Sequence, residues 1–238
     1  MINEGFLLID KDKDMTSFAV VHRLRKLSGI KKIGHAGTLD PFATGLLILA
    51  LGRSYTRQIS DLQNFDKVYE IDVQLGATTP SLDPETPLEE ANEFPLITQE
   101  DALHACQKFV GTIQQSPPIY SAKHVNGKRS YQLARAGKPV PLAPVSVKID
   151  DIQLLYSQRR VKDAGLCALT LRVTCQKGCY MRSLARDLAA DLGTLGYCSN
   201  LRRIRSGPFH VDDALSLNDL SERGLEQGVF QHIPATLP

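Results

Sequence analysis

The spacing of apolar residues near the start of the chain predicts a strand followed by a helix. Residues 6–9 form a continuous apolar run, which is typical of a short buried strand. Thr16 and Ser17 are favourable N-cap residues for the helix that follows, and Gly29 is suited to end it. The apolar stripe of this helix consists of Val20, Val21, Leu24 and Leu27.

The next part of the chain predicts a loop and two strands. Residues 34–45 contain two early glycines and Pro41, which favour a loop. Residues 46–51 are all apolar and predict a buried strand. Residues 67–75 alternate between apolar and polar, with Tyr69 on the apolar side, so they predict a half-buried strand.

The rest of the chain predicts further strands and helices in no regular order. Residues 76–97 are acidic and contain several prolines, so they predict an exposed excursion. Thr98 and Asp101 predict a capping box for a helix that reaches Val110, and two prolines predict an extended segment at residues 116–122. Further predicted elements are a basic helical stretch ending at Gly137, strands at 145–156 and 166–175, a helix at about 180–192, a strand at 201–209, and a short helix capped by Ser216 and Asp219.

This order of elements predicts the fold class. The helices follow no strand–helix–strand rhythm, which favours an α+β fold with a mixed, largely antiparallel central sheet flanked by helices. We interpret residues 1–238 as a single domain, with an excursion at about 76–140 and a short C-terminal extension at 212–238. Neither a G-x-G-x-x-G nor a Walker A pattern is present, so no nucleotide cofactor is expected.

The composition excludes several classes of protein. Apolar residues make up 42% of the chain and charged residues 23%, as in ordinary globular proteins. No apolar run is long enough to span a membrane, and the N-terminus lacks a signal-peptide pattern, so a cytoplasmic protein is expected. The five cysteines form no C-x-x-C pair and the six histidines complete no metal motif, so we expect reduced thiols and no metal.

The charge is unevenly distributed, although the formal net charge is only +2. Residues 1–60 and 102–211 are basic on balance, whereas residues 61–101 and 212–238 are acidic. Basic stretches that converge in space would form a face suited to phosphates. Scattered, solvated charge is the alternative, and the charge pattern alone does not distinguish the two.

Asp40 is the candidate catalytic residue. It lies between a glycine-rich segment and Pro41, just before a rigid apolar strand, and rigid support suits a catalytic group. A lone aspartate at the end of a loop is nevertheless more often a turn residue or a cap. The surrounding residues therefore have to decide between these interpretations.

The segment around Asp40 resembles a long and specific signature. Residues 34–47, GHAGTLDPFATGLL, are similar to the signature of the TruB family of pseudouridine synthases. The resemblance extends over essentially the whole chain, and the other matching segments are residues 116–122, 127–137, 177–187 and 201–209.

The resemblance implies a pseudouridine synthase fold with an RNA-binding cleft, and an enzyme that isomerises uridine 55 in the T loop of tRNA. This reaction breaks the bond between N1 and C1′, rotates the uracil and rejoins it through C5. A carboxylate can take part as nucleophile or as base, and the sequence leaves both open. The implied partner is the T-arm of tRNA, with no cofactor, no metal and no obligate protein partner.

The resemblance also assigns roles to individual residues. Asp40 is implied to be the catalytic carboxylate, Arg182 to pair with it, and Tyr69 to stack on the target uracil. Leu201 is implied to line the uracil pocket, and His35 to occupy the space that the flipped base leaves. Lys11 is implied to support the site. The residues expected to contact phosphates are Arg202, Arg203, Arg205, Lys123, Lys128 and Arg129.

Two features depart from the family pattern. Relatives usually have a Lys-Pro-x-Gly turn where this chain has Lys11, Asp12, Lys13 and Asp14. Because Asp14 tolerates a left-handed backbone, the turn can keep its geometry. After Phe209 the remaining sequence is too short for the PUA domain of many relatives, so we expect a short form that binds RNA more weakly.

Three other functions fit parts of the sequence. A guide-RNA-dependent catalytic subunit resembles the same family, but it needs partner proteins and a PUA platform. A non-catalytic module that folds or binds tRNA would not need the set of Asp40, Tyr69 and Arg182. A carbohydrate enzyme fits poorly, because glycoside hydrolysis normally uses two carboxyl groups and no partner for Asp40 is evident.

Overall fold

The computed structural model describes residues 4–121, 123–125, 127–138, 140–159, 165–224 and 228–232. The chain forms two compact units. Unit 1 comprises Met1–Glu70 and Leu201–Pro238, and unit 2 comprises Ile71–Asn200.

The secondary structure alternates between strands and helices along the chain. The elements up to residue 75 are β1 (Gly5–Lys11), α1 (Ser17–Ser28), β2 (Ile33–Ala36), β3 (Thr44–Leu51), α2 (Arg53–Thr56), α3 (Ile59–Gln63) and β4 (Lys67–Leu75). The next are β5 (Ala77–Thr78), β6 (Glu90–Ala91), α4 (Gln99–Lys108), β7 (Gly111–Gln115), β8 (His124–Val125), β9 (Lys128–Arg129), α5 (Ser130–Arg135), β10 (Val145–Arg159), β11 (Leu166–Cys175) and α6 (Met181–Asp191). The last are β12 (Gly196–Ser206), β13 (Phe209–His210), a 3-10 turn (Val211–Asp213), α7 (Leu217–Arg223) and β14 (Val229–Phe230).

Unit 1 is built on strands in the order β14-β1-β3-β12-β4, with β2 added to β3 and β13 added to β12. Strand β3 pairs antiparallel with β1 and β2 but parallel with β12, where Arg202 lies opposite Thr44. One side of this sheet packs on α2 and α3 through Ile48, Leu62 and their neighbours. Phe6 meets Tyr55 edge to face there, with 5.1 Å between ring centroids. These contacts make β3 a rigid base for the loop before it.

Unit 2 is built on strands in the order β12-β4-β11-β10-β7. The pairs β10–β11 and β10–β7 are antiparallel, and β10–β11 contains three register shifts. Helices α4 and α6 are linked by an ion pair between Lys108 and Asp191, with 2.9 Å between Nζ and Oδ2. Cys106 on α4 is buried, which raises the pKa of its thiol to about 11 and keeps it protonated.

The predicted fold class is confirmed, because the sheet is mixed, mostly antiparallel and accompanied by helices. The caps were also predicted correctly: Thr16 caps α1, and capping boxes begin α4 at Thr98 and α7 at Ser216. None of the described helices has the length and apolar character needed to cross a membrane.

Several boundaries differ from the prediction. The loop expected at residues 34–45 is shorter, because β2 pairs with β3 and β3 already begins at Thr44. Helix α4 ends at Lys108 rather than Val110, because the chain turns there into β7. Leu27 is 42% exposed, so the buried stripe of α1 consists of Val20, Val21 and Leu24.

The excursion at residues 76–97 is only partly exposed, contrary to the prediction. Residues 87–93 are exposed, but Thr79, Ser81 and Asp83 are buried. These three polar residues bond to one another, which explains how a polar turn is tolerated inside the protein.

Candidate active site

Asp40 lies in a tight loop, residues 37–43, between the antiparallel strands β2 and β3. The backbone N–H of Ala43 donates to the carbonyl of Asp40 (3.1 Å), which closes a turn around the half-buried carboxylate. Gly45, the second residue of β3, follows the loop with a φ of 98°. A Cβ at this position would lie 2.3 Å from the carbonyl oxygen of Arg203, so only glycine fits here. The end of the loop is therefore fixed against β12.

Ser17 holds the residue directly before Asp40. Its side chain is buried, and Oγ both donates to the carbonyl of Leu39 (3.1 Å) and accepts from the N–H of Leu39 (2.9 Å). Leu39 is itself buried, with 3% of its surface exposed. One hydroxyl thus satisfies both backbone groups of Leu39 and fixes the peptide that leads into Asp40.

Lys11 holds the residue directly after Asp40. The side chain is fully buried at the end of β1, and Nζ donates to the carbonyls of Pro41 (3.2 Å), Met15 (2.6 Å) and Asp12 (2.9 Å). Asp14 in the same turn has a φ of 61°, which confirms that an aspartate can keep the left-handed geometry expected there. The altered turn therefore still delivers Lys11 to the loop of Asp40.

Arg203 anchors both ends of the loop. It is 1% exposed, and its guanidinium donates from Nε to the carbonyl of Leu46 (2.7 Å) and from Nη2 to that of Gly37 (3.2 Å). The predicted phosphate contact is wrong for this residue, because a guanidinium buried in this way does not reach a ligand on the surface. Its guanidinium instead stabilises the loop through these two hydrogen bonds.

His35 lies on β2, two residues before Gly37. Burial and the nearby positive charge of Arg203 lower the pKa of His35, and a backbone hydrogen bond to Gly37 offsets part of this effect. The imidazole is therefore neutral at pH 7. A neutral ring can enter the space of an extracted base at a smaller desolvation cost than a charged ring.

Leu201 and Arg202 lie on β12 beside the end of the loop. Leu201 is 5% exposed, and Arg202 lies opposite Thr44 of β3. Arg202 forms a two-pronged ion pair with Asp10, at 2.9 and 2.7 Å, and this hydrogen-bonded carboxylate raises the pKa of Arg202. Any phosphate that contacts Arg202 would therefore meet a guanidinium that is already paired with Asp10.

Tyr69 differs from the residues that share its row on β4. Ile71 and Val73 are buried, whereas Tyr69 is only half-buried. A half-buried ring is better suited to stacking on a substrate base than a fully buried core residue would be. The uracil-stacking role stays a prediction.

Arg182 belongs to unit 2 and is buried, with both terminal nitrogens of its guanidinium hydrogen-bonded. Nη1 donates to the carbonyl of Ser81 (2.8 Å) and to Oδ2 of Asp83 (2.9 Å), and Nη2 donates to the carbonyl of Tyr120 (2.9 Å). Both side chains of the Arg182–Asp83 pair are at most 5% exposed. The pairing of Arg182 with Asp40 stays a prediction of the resemblance.

Asp83 is held by its own turn. Oδ1 accepts hydrogen bonds from Ser81 Oγ (2.5 Å) and from the N–H of Glu85 (2.9 Å), and the Thr79 hydroxyl donates to the Asp83 carbonyl (2.7 Å). The carboxylate held by these donors fixes the direction of the Arg182 guanidinium through their ion pair. The burial of Asp83 was not predicted from the composition of this segment, because acidic residues and prolines are typical of exposed loops.

The other predicted phosphate contacts have mixed surroundings. Arg205 is paired with Asp66, with 2.5 Å between Nη2 and Oδ2. Lys123 is half-buried and Arg129 is exposed, whereas the side chain of Lys128 lies outside the described residues. Among the residues that the structure describes, no three His, Cys, Asp or Glu side chains converge on a point that could hold a metal ion.

Two family models match consecutive parts of this chain. Residues 25–181 match the N-terminal domain of the TruB family of pseudouridylate synthases, and residues 182–230 match the C-terminal domain of tRNA pseudouridylate synthase B. The second match reaches into residues 212–238, which were predicted to be a short C-terminal extension.

Known proteins are similar over nearly the full length. The tRNA pseudouridine synthase B of Chlamydia muridarum is 41% identical over 232 residues, which cover 97% of this chain and 91% of the relative. That of Phocaeicola vulgatus is 41% identical over 222 residues, which cover 91% of each chain. A solved chain from a Cbf5-Nop10-Gar1 complex superposes with a TM-score of 0.69 at 28% identity over 92% of this chain. The matched part is 54% of that chain, so this protein spans just over half of its length.

Proposed function

Because this chain belongs to the TruB family of pseudouridylate synthases, we propose that it converts uridine 55 in the T loop of tRNA into pseudouridine, with Asp40 as the catalytic carboxylate. Formation of pseudouridine in tRNA is the activity that its relatives carry in their names. The position in the T loop and the role of Asp40 are our own proposals.

The observation that carries the role of Asp40 is the rigidity of its backbone. The peptides on both sides of Asp40 are held by buried side chains, Ser17 on Leu39 and Lys11 on Pro41. An ordinary turn residue does not need such support, whereas a catalytic group must be held within a fraction of an ångström. A carboxylate in this loop can attack the ribose or the base, or remove a proton, and is regenerated when C5 replaces N1 on C1′.

The substrate base must leave the stack before it can react. Unstacking costs a few kcal/mol, which the enzyme recovers by filling the gap and holding the flipped base. We assign these tasks to the neutral His35, and to Tyr69 with Leu201. The isomerisation neither adds nor removes atoms, so His35, Tyr69 and Leu201 have to bind and orient the base, while Asp40 acts on it as nucleophile or as base.

The decisive experiment combines turnover and binding. Purified protein is incubated with a T-arm transcript, and pseudouridine is mapped by chemical modification. We expect one modified position in wild type, and in Asp40→Asn full RNA affinity but no product. Asp61→Asn, an exposed carboxylate of α3, is the matched control and should keep full activity.

The outcomes separate the competing functions. Product formed by the purified chain alone excludes a guide-dependent subunit that needs partner proteins. Tight tRNA binding without product would favour the folding module instead. Substantial turnover by Asp40→Asn would remove Asp40 from its proposed role while leaving the family activity intact.

A further inference from the structure

A basic pocket lies in unit 1 on the side of β2 that faces α2 and α3. We call it the β2 pocket. It has a volume of about 320 Å³, and Lys32, Arg53 and Arg57 place their cationic side chains around it. This volume lies at the lower end of the range of about 300–1,000 Å³ found for small-ligand sites, so it fits a fragment of a larger molecule.

The floor of the β2 pocket is specifically shaped. It is formed by Gly34, the buried Ile33 and the half-buried Ile59. A Cβ at Gly34 would lie 2.6 Å from Cδ1 of Ile59, so a larger residue here would force the end of the Ile59 side chain to move. The glycine keeps the pocket concave.

The cations of the β2 pocket differ from most other basic groups that the sequence singled out. Among the described residues, Lys32, Arg53 and Arg57 form no ion pair with a carboxylate, and all three are exposed. Arg202 and Arg205, which were predicted to contact phosphates, are neutralised by Asp10 and Asp66. Three exposed positive charges around one concavity repel one another unless an anion binds between them.

We propose that the β2 pocket binds a backbone phosphate of the RNA substrate. Two guanidinium groups can grip phosphate oxygens in a two-pronged manner, and an ammonium group adds a third charge. The pocket floor includes Gly34, which directly precedes His35 on β2. Because successive side chains of a strand face opposite sides of the sheet, a phosphate bound here would contact β2 on the side opposite to the His35 side chain.

This inference rests on the proposed function only in taking RNA as the ligand. Lys32, Arg53 and Arg57 are outside the twelve residues to which the family resemblance gave roles. Phosphate binding in the β2 pocket also predicts that removing the three cations together lowers the salt dependence of RNA binding by about the contribution of one phosphate contact.

The test measures RNA affinity as a function of salt. The probe is a T-arm hairpin, and its Kd is determined by fluorescence anisotropy in a series of KCl concentrations. The variants are Lys32→Gln, Arg53→Gln, Arg57→Gln and the triple substitution. Each phosphate contact contributes about 0.7–0.9 to the slope of log K against log salt, so the triple variant should lose at least about 0.7, together with a tenfold or larger loss of affinity at low salt. Melting temperatures should not change, because the three side chains are exposed.

The matched control is Lys108→Gln. Lys108 is also exposed, but it already pairs with Asp191 at 2.9 Å, so its removal should leave the slope and the affinity unchanged. An unchanged slope in the triple variant would overturn the proposal. An equal loss in the control and in the variants would also overturn it, because general charge would then explain the effect.

A second arm separates RNA from free phosphate. Inorganic phosphate is compared with chloride at equal ionic strength. If phosphate raises the melting temperature of wild type while the triple variant still binds RNA normally, the pocket is a site for a free anion and the RNA assignment is wrong. The proposed function fails separately, since absence of product with wild type is measured in a different assay.

Discussion

Replacing Ser17 by alanine tests whether the backbone around Asp40 sets the rate of the reaction. The substitution removes one oxygen atom and leaves two buried backbone groups of Leu39, its N–H and its carbonyl, without the partner that they have at 2.9 and 3.1 Å. A net contribution of about 1 kcal/mol for each hydrogen bond gives a loss of about 2 kcal/mol. In a chain of this size that loss lowers Tm by roughly 4–8 °C.

The effect on catalysis should exceed what the loss of stability explains. Asp40 follows Leu39 directly, so relaxation of the Leu39 peptide moves the carboxylate. A displacement of 1 Å can cost about 100-fold in rate. We therefore expect single-turnover pseudouridine formation to slow by about 10- to 100-fold at a temperature well below Tm. The Kd for the T-arm hairpin should stay within a factor of two or so, because the Ser17 side chain is buried.

Ser216→Ala provides the control. The Ser216 hydroxyl accepts from the N–H of Asp219 (3.0 Å) and caps α7, so its loss costs roughly 1 kcal/mol away from the loop of Asp40. This variant should melt earlier and turn over normally. The reasoning is refuted if Ser17→Ala also turns over normally despite its lower Tm, or if the two variants lose activity in proportion to their loss of stability.

Two further predictions concern buried charge. Asp83→Ala should destabilise the protein by on the order of 3 kcal/mol in urea unfolding, because Arg182 loses a buried ionic partner. The double variant Asp83→Ala/Arg182→Met should recover part of this loss. Strictly additive losses in the double variant would contradict the interpretation of the two residues as a pair. His35 should titrate below the usual value of about 6.5 in an NMR pH series. The unfolded chain takes up that proton first, so His35 should lower stability as the pH falls through 6.5, and a normal titration would contradict the burial argument.

The fold could be predicted because its main signals are local. Each of these signals depends on residues that are only a few positions apart: the alternation at residues 67–75, the caps at Thr16 and Thr98, and the apolar run at 46–51. The boundaries that were wrong depend on a distant partner. Residues 33–36 contain three polar or small positions and would not form a strand alone, but β3 supplies hydrogen-bonding partners for them.

The identity of the candidate site could also be predicted, because the motif around Asp40 is continuous in the sequence. Its supporting residues could not. Ser17 is a good N-cap residue by type, yet Thr16 caps α1 and Ser17 bonds to a residue 22 positions away. Asp83 lies in a segment whose composition indicates exposure, and only the turn built by Thr79 and Ser81 makes its burial tolerable.

The roles of the three arginines of β12 could be predicted from the sequence only in part. Successive side chains of a strand face opposite sides of the sheet, so Arg203 shares a side with Leu201, which was expected to line a pocket. That pattern alone separates Arg203 from Arg202 and argues against a common role in binding phosphate. The sequence around Arg203 does not show why a buried guanidinium is stable there. The carbonyls that satisfy it belong to Leu46 and Gly37, which lie 157 and 166 positions earlier in the chain. A positive charge is thus placed beneath the loop of Asp40 by the register between β3 and β12, where Gly45 lies opposite Arg203 and has no side chain to keep the two strands apart.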